Sequence, residues 1–319
     1  MKDLIIIGSG PAGVAGGIYS SVYNLDTEIL GEEPGGTIKE GHTVENYPGL
    51  GKLKGEELAE EFLNHLESLG NGVTEKEATR IELVEAEEEN NVEEAGESGK
   101  RFRVLDKEGE EHFSKSLLIA TGRKHRKLDI PGEEEYRGKG VSYCATCDAP
   151  LFKDAEVGVV GGSDSAAKEA LLLTEHAEKV YIIYRRGEIR PEPRTKEKIY
   201  QKVEEGEIEI INNTNVEEVK GDEMMKKVVL DNPYQGDEEL ELEGLFIDIG
   251  GVPTTELLKD LEIDTNEKGE IKVNKKMSTN VPGVYAAGDV TNNNFKQVIT
   301  AAYQGSRAVQ SIYQYLQDE

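Results

Sequence analysis

The sequence predicts an α/β protein, and three observations predict it. A strand-like apolar run enters a glycine loop and then a small-residue helix at Gly8, and the same opening recurs at Gly161. Short β-like runs alternate with amphipathic helical stretches around both openings. The 319 residues suffice for two domains at one per roughly 150 residues. Together they give two Rossmann-like three-layer domains, the second inserted in the first. The expected division is 1–122 with 246–319 for one domain and 123–245 for the other.

The elements follow in order. Residues 3–7 read as a strand, and a helix follows from about 12 to 24. A strand fits 27–30, and the Gly- and Pro-rich segment 31–50 reads as an ordered loop. A helix fits 55–69, with leucines and Phe62 on one stripe and acids elsewhere. Strands are expected at 80–84, 101–105 and 116–120, and the acidic stretch Glu85–Lys100 as a solvated hairpin excursion. The basic run Arg123–Lys127 reads as a connector. The second opening has a strand at 156–160, a helix to about 176 and strands at 180–184 and 208–211. A hairpin covers about 215–244, and the apolar Leu245–Gly250 reads as a connector back to the first domain. The tail holds Gly288-Asp289 and a final helix over 296–316.

Composition narrows the function. Sixty-four acids against 37 Lys and Arg give a formal charge of −27, which repels nucleic-acid phosphates and anionic lipid surfaces. No run approaches the roughly 20 apolar residues of a membrane span, and Lys2 leads straight into a strand, so a soluble, cytoplasmic chain is expected. The two cysteines, Cys144 and Cys147, form one C-x-x-C. A lone pair excludes a disulfide scaffold, and zinc would need two further ligands that no second motif supplies, so no metal is expected. A redox pair fits best.

Gly8, Gly10 and Gly13 form G-x-G-x-x-G between strand and helix, with Pro11 and Ala12 opening the helix. The first glycine permits the tight turn, the second lets backbone approach a pyrophosphate, and the third allows close helix–strand packing. The helix N-terminus then faces the phosphates. The second loop, Gly161-Gly162-Ser163-Asp164-Ser165-Ala166, has Ser163 at the second position, where a side chain crowds a pyrophosphate. Arg185, Arg186 and Arg190 follow the next strand; they suit the 2′-phosphate of NADP, or are surface arginines in ion pairs. Two nucleotide sites and one dithiol need a flavin to convert a hydride into two electrons. Asp148, beside the pair, is either the proton manager or a turn acid.

These residues resemble the low-molecular-weight thioredoxin reductases of bacteria and archaea, within the pyridine nucleotide-disulfide oxidoreductase family. The resemblance runs from Gly8 to Gly305 and is most specific at Cys144-Ala145-Thr146-Cys147-Asp148. Pro34-Gly35-Gly36-Thr37, Val44-Glu45-Asn46-Tyr47-Pro48-Gly49 and Gly288-Asp289 to Val298 also resemble family segments. The resemblance implies FAD on Gly8–Gly13, on Gly31, Glu32, Gly35, Gly36 and Thr37, on Asn46, Thr121 and Gly122, and on Gly288, Asp289, Lys296, Gln297 and Val298. Asp289 would bind the ribityl chain. NADPH would lie on Gly161–Ser165 and the three arginines. Cys147 would be the flavin-proximal thiol, Cys144 the interchange thiol, and Asp148 the acid/base. It implies a homodimer, thioredoxin or a thioredoxin-like partner, and hinges at 123–127 and about 243–248. The chain departs from the family at Thr37, Tyr184, Ser163, Ala149-Pro150 and Phe295-Lys296-Gln297-Val298. Ser163 leaves room for a related flavin-dependent disulfide reductase driven by NADH, ferredoxin or a deazaflavin, and structural cysteines would instead mean a flavin-binding sensor without turnover. His42, near the presumed flavin loop, reads as a polar loop residue.

Overall fold

A computed structural model describes residues 1–40, 44, 46–85 and 100–318. The expected solvated excursion after Glu85, and the sites of His42 and Glu45, lie outside the described residues. The chain divides into two compact units, Met1–Lys124 with Val252–Glu319, and His125–Gly251. No helix among the described residues is long and apolar enough to cross a membrane.

The first unit is built on a seven-stranded sheet. Its strands are β1 (Lys2–Ile7), β2 (Thr27–Leu30), β3 (Val73–Thr74), β4 (Ala78–Glu85), β5 (Lys100–Asp106) and β6 (Glu111–Ile119), in the order β3-β2-β1-β6-β5-β4, with a further strand, Val284–Ala286, also paired to β6. β1 lies parallel between β2 and β6, while β4, β5 and β6 run antiparallel. Leu4–Ile7 are buried throughout, as expected of a strand covered on both faces. Each such side chain contributes about 1.5–3 kcal/mol of burial. Helices α1 (Pro11–Val22) and α2 (Gly55–Ser68) pack on this sheet together with the C-terminal helix Val298–Asp318. The order reverses direction at β1, so a crevice opens beyond the carboxyl ends of β1 and β6, where α/β sheets bind ligands.

The second unit repeats the plan with a five-stranded parallel sheet. After β7 (Arg123–His125) come β8 (Val141–Ser142), the short helix α3 (Ala145–Asp148), β9 (Glu156–Val160), α4 (Asp164–Leu173), β10 (Lys179–Tyr184), α5 (Pro193–Glu204) and β11 (Ile208–Asn212). A three-stranded antiparallel sheet, β12 (Val216–Gly221), β13 (Met225–Tyr234) and β14 (Asp237–Glu241), stands where sequence predicts a hairpin. The strand β15 (Gly244–Ile247) then completes the order β11-β10-β9-β15-β8.

β15 corrects the sequence reading. Leu245, Phe246 and Ile247 are not a connector, and the stretch 243–248 is not a free hinge. They form a strand hydrogen-bonded on both sides, to β9 and β8, with every residue buried. An unbroken apolar run with no alternation is what a central parallel strand requires. The boundary of this unit accordingly falls after Gly251, not before residue 246, and β16 (Gly251–Pro253) lies at the return. The remaining elements are β17, the Val284–Ala286 strand, and α6, the C-terminal helix, which starts at Val298, two residues later than predicted.

Candidate functional site

In the first unit the glycine loop is shaped by backbone crowding. Gly8 has φ +108°, and a Cβ there would lie 2.2 Å from the Ala120 carbonyl oxygen at the end of β6. A Cβ on Gly13 would lie 1.8 Å from the Gly8 carbonyl oxygen. Both positions therefore exclude a side chain. Gly10 differs: the nearest atom to its Cβ position is the Gly35 oxygen, 4.0 Å off. A side chain would fit there without a clash, so what the glycine provides is room for backbone to approach a pyrophosphate. Gly10 is also the N-cap of α1, Pro11 starts the helix, and no side chain caps it. The free N–H groups of that first turn and the helix dipole thus remain available to an anion.

The segment after β2 closes over this loop. Gly35 N–H donates to the Ser9 carbonyl (2.9 Å), and a Cβ on Gly31 would strike Ser9 Oγ at 2.1 Å. A Cβ on Gly36 would stand 3.0 Å from the Gly10 Cα. Glu32 and Thr37 are exposed, and Glu32 faces Lys107 at 3.8 Å. Across the crevice, Thr121 Oγ1 donates to the Thr254 carbonyl (2.7 Å), and Gly122 turns the chain at φ +62°. Gly288 has φ +79° and lies against Ala12, a Cβ there standing 3.0 Å from the Ala12 methyl. Its N–H donates to Gln304 Oε1 (2.8 Å), a buried side chain of α6 that sequence reading did not single out. Asn46 Nδ2 donates to Gln297 Oε1 (2.9 Å), joining two predicted residues far apart in sequence. Ala12, Lys296 and Val298 surround the same region through α1 and the start of α6.

Asp289 lies in the turn after β17, half-buried. Burial pushes its carboxyl above the ordinary range, with Lys296 and Arg123 opposing and Glu270 reinforcing that rise. A partly desolvated carboxylate beside a glycine cradle suits hydroxyl donors, so the residues of this crevice fit the ribityl and pyrophosphate parts of FAD.

In the second unit the redox turn is built by α3. Cys144 caps that helix, its Sγ accepting the Cys147 N–H (3.2 Å), and the two cysteines form a disulfide with Cα atoms 5.3 Å apart. Cys147 is exposed and Cys144 half-buried. Ser142, buried at the end of β8, organises the turn. Its hydroxyl accepts the Cys144 N–H (3.0 Å) and donates to Asp148 Oδ2 (2.7 Å). The acid is thereby fixed beside the disulfide it would serve. Tyr143 donates to the buried Glu133 (2.5 Å), which also accepts the N–H groups of Leu128 and Asp129. Leu151, three residues past Asp148, is 77% exposed.

The second glycine loop follows β9. A Cβ on Gly161 would lie 2.2 Å from the Asp248 carbonyl oxygen, and one on Gly162 would lie 2.5 Å from the Tyr184 ring. Ser163 is the N-cap of α4, its Oγ accepting the Ala166 N–H (3.2 Å). The hydroxyl at the second fingerprint position is therefore turned into its own helix. Asp164 Oδ1 accepts the Glu192 N–H (2.8 Å) and Oδ2 pairs with Lys168 (2.7 Å); burial raises its carboxyl, but these partners outweigh burial and hold it below the usual range. Ser165 Oγ donates to Asp248 Oδ2. The Arg190 N–H donates to the Gly162 carbonyl (2.7 Å), tying that arginine to the loop. Arg185, Arg186 and Arg190 are exposed, and their guanidiniums make no ion pair among the described residues. These three guanidiniums share one loop, in a chain with a large excess of acids.

A model of the pyridine nucleotide-disulphide oxidoreductase family matches residues 2–305. The chain belongs to that family. Within it, a thioredoxin reductase of Listeria innocua is 36% identical over 319 residues, covering 99% of this chain and 94% of that protein. The crystal structure of Lactococcus lactis thioredoxin reductase is 36% identical and superposes with a TM-score of 0.89, each chain covered in full. That of T. acidophilum thioredoxin reductase is 33% identical with a TM-score of 0.86 over 98% of each chain. The pyridine nucleotide-disulphide oxidoreductase architecture, two dinucleotide-type units with a C-x-x-C in one of them, accounts for both glycine crevices and for the disulfide.

Proposed function

We propose that the protein is an NADPH-dependent, FAD-containing thioredoxin-disulfide reductase. The observation that carries this reading is the Cys144–Cys147 disulfide at the N-terminus of α3, with Asp148 held by Ser142 beside it. When bound, FAD supplies the conversion of a nicotinamide hydride into an electron pair that a disulfide accepts. The chain's own residues do the rest. The loops Gly8–Gly13 and Gly31–Thr37, with Thr121, Gly122, Gly288 and Asp289, bind and orient that cofactor. Gly161–Ser165 hold the second dinucleotide, and Arg185, Arg186 and Arg190 select its 2′-phosphate. Cys144 attacks the partner disulfide as a thiolate, forming a mixed disulfide. Cys147 then displaces it, releasing the partner as a dithiol. Asp148 moves the thiol proton through its place in the Ser142 hydrogen bond.

The partner is thioredoxin or a thioredoxin-like protein, and exposed Leu151 is the contact we assign to it. A cytoplasmic location suits a lone cysteine pair that must cycle rather than staple. A homodimer is supported by the apolar residues Tyr19 and Val22 on α1 and Ile299 and Tyr303 on α6, all exposed on helices that pack together.

Anaerobic mixing of the FAD-loaded protein with NADPH or NADH tests the reading. NADPH is expected to bleach the flavin absorbance quickly, and the reduced protein to reduce oxidised thioredoxin. Arg185→Ala and Arg190→Ala should each raise the KM for NADPH by about tenfold or more, the worth of one charge-assisted hydrogen bond, and leave NADH unaffected. Bleaching by dithionite but by neither nucleotide would overturn the NADPH assignment.

A further inference from the structure

Glu270 belongs to no predicted site, yet it is one of the most deeply buried carboxylates in the first unit. It is 4% exposed. It ends a tight turn, Asn266–Glu270, locked by Asn266. Asn266 Oδ1 accepts the N–H groups of Lys268 and Glu270 (2.9 and 3.0 Å), and Asn266 Nδ2 donates to Glu270 Oε2 (2.7 Å). The next residue is bonded to the turn that carries Asp289, with Ile271 N–H donating to Val290 and Asn292 N–H to Ile271. Glu270 Oε1 therefore arrives at a fixed place. There it meets two cations from distant segments, Lys296 Nζ at 3.1 Å and Arg123 at 3.6 Å. Lys296 Nζ also donates to the carbonyls of Asp289 (3.0 Å) and Thr291 (2.6 Å).

Lys296 precedes α6, so its backbone is not committed to the helix and its side chain folds back over the Asp289 turn. All three of its bonded oxygens belong to that turn or to Glu270. Burial would make the Glu270 carboxyl hard to ionise, but Asn266, Lys296 and Arg123 outweigh burial and keep it below the ordinary carboxylate range. It is thus a buried anion behind the Asp289 turn, and it balances a cation held against that turn. A buried charge pair with one partner removed leaves the other uncompensated.

Resting on the flavin reading above, we propose that Glu270 is a positioning residue of the cofactor site: it pins Lys296 over the Asp289 turn, draws in Arg123, and sets the electrostatic balance felt by the bound flavin. Neutralising it should leave a net positive charge there, which favours the electron-rich reduced flavin. Glu270→Gln keeps the shape and the Asn266 contact while removing the charge.

The test is the flavin midpoint potential of the FAD-loaded full chain, measured against a reference dye under anaerobic conditions. Glu270→Gln should shift the reduced-to-oxidised ratio at fixed potential about tenfold towards reduced flavin, a rise of about 30 mV for a two-electron couple. The double variant Glu270→Gln with Lys296→Gln should return most of the way to wild type, because the uncompensated cation is gone. A flavin-loaded Glu270→Gln protein with an unchanged potential, or a double variant no closer to wild type than the single one, would overturn the proposal. Should Glu270→Gln fold poorly, Lys296→Gln alone should shift the ratio the opposite way, and no shift would count equally against it. A wild-type protein that takes up no FAD would sink the flavin reading itself and this inference with it.

Discussion

At the residue scale, buried carboxylates separate into those serving the fold and those facing a crevice. Asp106, at the end of β5, is of the first kind. It is buried, pairs with Lys76 at 2.7 Å, and accepts the Glu110 N–H (2.8 Å), with His112 also within reach. The Lys76 hydrogen bond first, against the burial penalty, and then the backbone and His112 contacts hold its carboxyl far below the ordinary range. The sign follows. A carboxylate with a depressed folded pKa adds stability above its unfolded value of about 3.9, and that stability drains away as pH falls towards the folded value. Asp106→Asn should therefore lower the Tm clearly at pH 7, and the gap to wild type should narrow progressively below about pH 4. Thermal melts across that range check it, and a gap that stays constant with pH would rule the mechanism out. Asp289 shows the opposite displacement, upwards by burial, and it is the one that lies beside a glycine cradle.

At the element scale, the contact between α1 and α6 is set by missing side chains. A Cβ on Gly305 would stand 1.9 Å from the Ala12 carbonyl oxygen, on the turn of α1 that faces the crevice. Backbone cannot yield as a flexible side chain can, so Gly305→Ala must push the helices apart. Overpacking of this kind costs about 1–3 kcal/mol. We expect that loss in denaturant melts, together with weaker FAD retention because Gln304 beside it holds the Gly288 N–H. Unchanged stability and retention would show that the helix shifts freely. Gly305 also marks what was legible in the sequence. The two glycine openings, the C-x-x-C and the strands leading into them follow from spacing alone, since period, turn chemistry and burial agree there. The β15 strand was misread because four buried apolar residues between loops carry no period to distinguish a core strand from a connector. The helix α5 went unread because its charged sequence has few apolar positions, with Thr195 and Ile199 its buried residues. Gln304, Glu270 and Ser142 were silent because their roles depend on partners brought together only by the fold.

At the scale of the whole molecule, two electrostatic effects with opposite salt dependence compete. The surface carries many pairs of Lys or Arg with Asp or Glu, among them Lys2–Asp26, Arg80–Asp260 and Lys226–Asp222, and salt weakens each of them. Exposed pairs of this sort contribute about 0–1 kcal/mol apiece. Against them stands a charge of −27, so that acids remain in excess even if every Lys and Arg finds a partner. Repulsion among those acids acts over the whole surface and destabilises the compact state. Screening shortens its reach to about 10 Å at 0.1 M salt, while a pair in contact lies well inside that distance and loses less. Repulsion should therefore respond more strongly than pairing. Raising sodium chloride from about 10 mM, where the screening length is about 30 Å, to 0.15 M, where it is about 8 Å, should raise the Tm. A Tm that falls over the same range would mean that the ion pairs are organised into networks strong enough to dominate. The acid-rich surface would then be a stabilising device and not a cost that the buried strands of the two sheets must offset.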